Sequence, residues 1–375
     1  MTTVPVEFIG MIGTKDSEGG PGGPAVDPEF TRHFARVHEE AGFDRVLIGH
    51  SSSSPDGAQV AAHVAAHTER LGLLLAHRPG ILAPTAAARS FATLDHLSGG
   101  RLAVHVISGG NDAEQRRDGD HLAKDDRYAR TDEFLDVVKR AWSEPEGFGH
   151  EGRFYRFDDF RSEVRPLQQP RIPLYFGGSS AAAHRVGGKH ADVFALWGEP
   201  LAQAAEQIAA VRAAAHAAGR AEPPRISVSF RPILGRTEEE AWERAHGILD
   251  AIRRRGTAGS FFDRARPPLP LGPSARPENT GSRRLLEAAA RGERHDRALW
   301  TAPAAATGAA GNSTALVGTP ETVALALLDY LDIGVTTFLL RGYQPLRDAE
   351  EFGRTLLPLV RQEAERRERA GAATG

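Results

Sequence analysis

Cysteine is absent from the 375 residues, which excludes disulfides, thiol nucleophiles and thiolate-bound metals. Charge of one sign is lacking too. Lys and Arg number 46 against 49 Asp and Glu, a net charge of −3, so the broad basic face of a nucleic-acid binder is not expected. No apolar run approaches the ~20 residues of a membrane span. The opening MTTVPVEFIG has no charged-then-apolar layout of a signal peptide. These absences point to a cytoplasmic protein without nucleic-acid or membrane partners. What is present, 41% hydrophobic and 25% charged residues, suits a soluble chain with a large core.

Apolar runs alternate with segments of helical period along nearly the whole chain. Strands are expected at Val6–Ile9, Val46–Ile48, Leu71–Ala76, Leu102–Ile107, Pro173–Phe176, Asp192–Leu196, Ile226–Phe230 and Thr336–Leu340. A helix carrying Phe30, Phe34, Val37 and Ala41 is closed by Gly42, and a glycine-rich loop at Gly19–Gly23 precedes it. Further helices are expected at Ala58–Arg70, Pro84–Leu97, Asp126–Trp142, Ala202–Ala218, Glu238–Arg255 and Ala349–Arg361. Strands that are apolar throughout imply a parallel sheet covered by helices. Eight of them fit a single α/β domain, a (β/α)8 TIM barrel, better than an open doubly wound sheet, and no G-x-G-x-x-G follows the first strand. Residues 256–311, rich in proline, glycine and arginine, break the rhythm. They form an insertion between the seventh and eighth strands, either a mobile lid over an anionic ligand or a solvated loop.

In such a barrel the chemistry sits where strands end. Those positions include His50–Ser54, His77-Arg78, His105 with Ser108–Asn111, Trp197–Glu199, Ser229 with Arg231, and Arg341–Tyr343. No carboxylate cluster occurs among them, which disfavours metal and glycosidase chemistry. In RIPLYFGGSS (171–180) a strand stops at two glycines and two serines before a helix. Two readings stand: an ordinary connection with a serine N-cap, or a backbone that approaches a phosphate at a helix N-terminus. Asp126-Arg127-Tyr128 opens the Asp126–Trp142 helix with Lys124 just before it; this is either an N-cap followed by a helix salt-bridge pair, or Lys124 and the Tyr128 hydroxyl serve the same phosphate. His63 and His67 have zinc-ligand spacing but lack the glutamate of H-E-x-x-H, so a solvated helix face is the simpler reading. Gly49-His50-Ser51 approaches a nucleophile elbow, yet Ser53 stands where that motif needs glycine. A serine hydrolase is kept as a minor alternative.

Six motifs resemble the bacterial-luciferase-like flavin monooxygenases. They are PTAAARSFATLDHLSGGRLAVHVISGGND (84–112), DDRYARTDEF (125–134), RPLQQPRIPLYFGGSS (165–180), ALWGEP (195–200), TALVGTPETVA (314–324) and GVTTFLLRGYQPL (334–346). They run in family order from about residue 6 to 360, and the chain is most similar to two-component alkanesulfonate monooxygenases. The resemblance implies a TIM barrel that binds reduced FMN (FMNH2) from a separate NAD(P)H-dependent flavin reductase and uses O2 to oxidise a small organosulfur or other heteroatom-bearing substrate. It implies a homodimer or homotetramer. It places the flavin against His50, His105, Ser108, Lys124, Tyr128, Ser179 and Ser180, with Lys124 where relatives carry histidine. Ser54 matches the cysteine of the alkanesulfonate enzymes. Ser229 and Arg231 match an arginine and a histidine, and the neighbourhood of Thr307 matches a lid arginine. Arg231, Tyr343 and Ser54 are therefore the catalytic candidates, Arg231 and Tyr343 for stabilising charge on the oxygenated flavin or donating a proton. An F420-dependent oxidoreductase of the same superfamily is the alternative, and a flavin-binding protein without catalysis is a further one.

Overall fold

The computed structural model describes residues 5–16, 24–255, 277, 279–311 and 313–374. Eight parallel strands close into a barrel: β1 (Glu7–Met11), β2 (Arg45–Ile48), β3 (Gly72–His77), β4 (Leu102–Val106), β5 (Leu174–Gly177), β6 (Val193–Trp197), β7 (Arg225–Leu234) and β8 (Val335–Leu340). Each pairs with its successor, and β8 pairs with β1, so the sheet is an α/β TIM barrel.

Alternation along each strand builds two cores. Phe8, Val46, Leu73, Leu75, Val104 and Phe176 point outward beneath the helices. Ile9, Leu74, Ala103, Tyr175 and Val193 fill the barrel axis. Both faces are covered, which is why β3 is buried at every position. At the base Glu7 accepts from Arg45 Nε at 2.6 Å and from the Tyr175 hydroxyl at 3.0 Å. The lower lumen is thus a packed plug.

Local signals set the helix starts. Asp27 caps Pro28–Glu40 through Phe30 N, and Pro84 opens Pro84–Leu97 at the one turn that needs no N–H. The last helical region begins earlier than expected, at Pro345, and runs through a π-turn at Phe352–Leu356 to Thr374. There Gly353 lies against Ala41, where a Cβ would come 2.4 Å from the Ala41 carbonyl.

β7 also runs past its expected end at Phe230. Its first half lies between β6 and β8, while Arg231–Leu234 pair with a parallel strand, Ala315–Gly318. Arg231 N donates to Thr314 O at 3.0 Å, so the missing N–H of Pro232 falls on the opposite, unpaired side. The chain between β7 and β8 comprises the helix Glu238–Arg255, a helix Thr280–Arg291, two short antiparallel strands, a turn of helix at Ala302–Ala306, Ala315–Gly318 and the helix Pro320–Asp332. Of the expected insertion, residues 256–276 lie outside the described residues, as does the Gly19–Gly23 loop. Residues 279–311 are folded, with Leu285, Trp300 and Ala304 buried. No described helix is long and apolar enough to cross a membrane.

Candidate active site

The strand ends surround a cavity of about 400 Å³. Its floor is Tyr175 with Ile9, Leu47 and Leu74, and Trp197, Arg78 and Arg341 stand on its wall. A smaller cleft of about 200 Å³ lies beside it. The two share Gly109, Gly110, Tyr128, Gly178, Ser179 and Asn279.

Lys124, Tyr128, Ser179 and Ser180 converge on the smaller cleft. Ser180 caps the ten-residue helix Ala181–His190, its Oγ accepting from Ala183 N at 3.2 Å. The unbonded N–H groups of that first turn and the positive end of the helix dipole serve the cleft. Gly177 and Gly178 leave the backbone bare: a Cβ on Gly178 would meet Ala183 Cβ at 2.7 Å and the Tyr128 hydroxyl at 3.3 Å. Burial raises the Tyr128 pKa, so that hydroxyl is a neutral donor. A lysine, a phenol, two hydroxyls and a helix N-terminus suit a phosphate, and the adjoining cavity, apolar on its floor, suits a flat ring.

Arg127 ties this region together. Almost fully buried, it donates to Ser108 O at 3.2 Å, Leu122 O at 2.6 Å and Asp112 at 2.7 Å. The SGGND loop after β4 is thereby fixed to the start of the helix Lys124–Ser143. Ser108 lines the cavity and shares a 3.0 Å hydrogen bond with Thr131. His105 also lines it. Protein encloses the ring elsewhere, and burial brings its pKa down to about 4, so it is neutral near pH 7. Among the described residues its Nδ1 has no hydrogen-bond partner.

The other expected residues lie elsewhere. His50 sits behind Arg78, 4.0 Å from Asp118, its pKa lowered by burial and by the Arg78 charge. Arg78 itself is held by Glu114 at 2.7 Å and Asp118 at 2.9 Å. Ser54 is engaged in a turn, exchanging 2.9 Å hydrogen bonds with the backbone of Ser51. Ser51 Oγ lies 3.4 Å from Ser53 Oγ, with no histidine among its hydrogen-bond neighbours in the described residues. Arg231 and Tyr343 do not line the cavity. Arg231 donates to Gly342 O at 3.2 Å and stacks over the Tyr343 ring at 4.7 Å, and Tyr343 packs beside the Trp300 cluster. Burial raises the Tyr343 pKa. His63 bonds Pro28 O and His67 bonds His63 O, so that pair is engaged with backbone.

Two residues of the site were not singled out from sequence. Asn279 and Thr280, at the start of the helix Thr280–Arg291, line the smaller cleft. Asn279 caps that helix through Gly281 N at 2.7 Å, and its side chain lies against Gly110. Asn before a helix was the only available signal. Its position over the cleft is a long-range property.

A parallel barrel with a bare glycine turn, a helix-start anion cleft and an adjoining apolar chamber defines a class of enzymes that hold a phosphorylated planar cofactor at the strand ends. The family model for luciferase-like monooxygenases matches residues 7–337, and the chain belongs to that family. Among solved structures, a riboflavin lyase with modified FMN and riboflavin is 24% identical, with a TM-score of 0.78 over 96% of this chain and 92% of that one. EDTA monooxygenase from Chelativorans sp. BNC1 is 20% identical, with a TM-score of 0.73 over 96% and 95%. An F420-dependent secondary alcohol dehydrogenase is 15% identical, with a TM-score of 0.68 over 95% and 99%.

Proposed function

We propose that the protein is a two-component monooxygenase that uses reduced FMN and O2, the flavin being delivered by a separate NAD(P)H-dependent reductase, and that it oxidises a small organic substrate. The observation that carries this reading is the convergence of Lys124, Tyr128, Ser179 and Ser180 on one cleft at a helix N-terminus, continuous with the larger chamber. Lys124, the two serines and Tyr128 would hold the FMN phosphate, with Gly177 and Gly178 allowing the tail to pass along the backbone. Bound there, reduced FMN would supply the electron pair that activates O2. His105 and Ser108 would face the ring as neutral hydrogen-bonding groups. Trp197 and the helix Thr280–Arg291 would exclude bulk water from the chamber.

Family membership also admits a deazaflavin enzyme that moves hydride without oxygen, and the fold shared with an F420-dependent dehydrogenase supports keeping that second reading. One experiment separates them. Chemically reduced FMN and reduced F420 are titrated anaerobically into the protein by calorimetry, and the loaded protein is then mixed with air. Saturable FMN binding and O2 consumption with substrate turnover are expected. Tight binding of F420 alone, with no O2 uptake, would replace this reading with the hydride-transfer one.

A further inference from the structure

We propose that Asn279 is a phosphate ligand supplied by the segment between β7 and β8, and that it makes the protein select phosphorylated over unphosphorylated flavins. This rests on the reading of the smaller cleft as the FMN phosphate site and adds a wall to it. Lys124, Tyr128, Ser179 and Ser180 belong to the chain that follows β4 and β5. Asn279 and Thr280 reach the same cleft from the start of the helix Thr280–Arg291, a separate part of the chain.

The helix itself fixes the direction of the carboxamide. Asn279 Oδ1 accepts from Gly281 N at 2.7 Å and from Ser282 N at 3.3 Å, so the oxygen is turned to the helix and the NH2 group away from it. That NH2 group lies beside Gly110, where a Cβ would come 2.6 Å from Nδ2. Gly110 and Asn279 each line both cavities, so the donor end stands where the cleft joins the chamber. Thr280 Oγ1 accepts from Arg283 at 3.1 Å, which leaves its hydroxyl proton for the cleft. Asp112 also lines the cleft, and Arg127 holds its carboxylate at 2.7 Å. The first turns of two helices, Ala181–His190 and the twelve-residue Thr280–Arg291, thus meet on one cleft, and both dipoles favour an anion there.

A donor on a loose segment would lose most of its gain to ordering. This one is braced. Leu285 is fully buried, Ser282 Oγ donates to Ala309 O at 2.8 Å, and Arg284 meets Glu199 at 2.9 Å. Gly281 lets the helix start press on the chamber wall, since a Cβ there would come 2.8 Å from the Trp197 ring. Asn279 is therefore in position before a ligand arrives.

N279D separates the cap from the clamp. Aspartate caps a helix as well as asparagine does, so the ligand-free melting temperature should hold, while a carboxylate oxygen replaces the NH2 donor. Reduced FMN and reduced riboflavin are titrated anaerobically by calorimetry into the wild-type protein and N279D. FMN affinity is expected to fall at least about tenfold, the scale of a lost hydrogen bond to a charged group, with riboflavin affinity unchanged. The rise in melting temperature on adding FMN should shrink with it. Should N279D melt early, N279S, which keeps a capping oxygen without the NH2 group, is read in its place with the same expectation. Equal FMN affinity in wild type and variant overturns the proposal, and so does an equal loss of FMN and riboflavin. Ribose 5-phosphate and ribose are titrated in parallel. A wild-type preference for the phosphate that N279D loses, with neither flavin bound, would sink the flavin reading alone. Absence of that preference in the wild-type protein would overturn the clamp.

Discussion

Gly178 has φ +145°, with Ala183 Cβ and the Tyr128 hydroxyl where a side chain would start. G178A is expected to cost about 1–3 kcal/mol of stability and to close the tail cleft. Its melting temperature and its affinity for reduced FMN should fall together, and unchanged flavin affinity would show that the cleft is not used. Lys124 makes a complementary case at a partly exposed position. K124M should weaken reduced FMN by about tenfold with little change in melting temperature, measured by anaerobic titration and thermal unfolding. At this scale the chain was legible where backbone chemistry speaks. Two glycines and two serines after an apolar run announce a close approach and a cap. Side-chain direction was less legible. Ser229 and Arg231 are two apart on β7 and were expected to share a face, yet only Ser229 lines the cavity.

The reason lies in the element. β7 leaves the barrel after Phe230 to pair with Ala315–Gly318, so the alternation that holds inside a strand does not carry across its change of partners. The eight barrel strands were visible because both their faces are buried and their runs are uniformly apolar. The hairpin of Phe148–Glu151 and Arg156–Phe160 was not. Its strands mix aromatic and charged residues, and its position depends on distant Glu133, which accepts from Phe154 N and Tyr155 N. The helix Thr280–Arg291 is likewise placed by long-range contacts. Arg284 reaches the buried Glu199 at 2.9 Å, and Gln207 donates to the same carboxylate at 2.9 Å. Removing Arg284 strands a carboxylate whose pKa burial already raises. R284A is expected to cost about 3 kcal/mol, and R284A/E199Q markedly less. Denaturant unfolding of the cycle checks this. Additive losses would mean that the pair does not anchor the helix.

Across the whole molecule, acid sensitivity follows from three histidines that burial keeps neutral. His38 and His105 are brought down to about 4 and His77 to about 3, from 6.5 in the open chain. Between those values the unfolded chain binds more protons than the folded one, so stability rises with pH. This contribution is complete above about pH 6.5 and is lost as pH falls through the folded values. Melting temperature at constant ionic strength should drop steeply from neutral pH to about 4.5. A flat profile would contradict the neutral assignment.

The change of partners along β7 has one more consequence. The polypeptide departs after Leu234 and comes back at Ala315 alongside the same ribbon, so the intervening cassette enters and exits within a strand's length. Exchanging or resizing that cassette is expected to leave barrel closure intact while altering the roof of the chamber and, through Asn279 and Thr280, one wall of the tail cleft. Divergence in what these enzymes oxidise should therefore concentrate there, where exchange is topologically cheap.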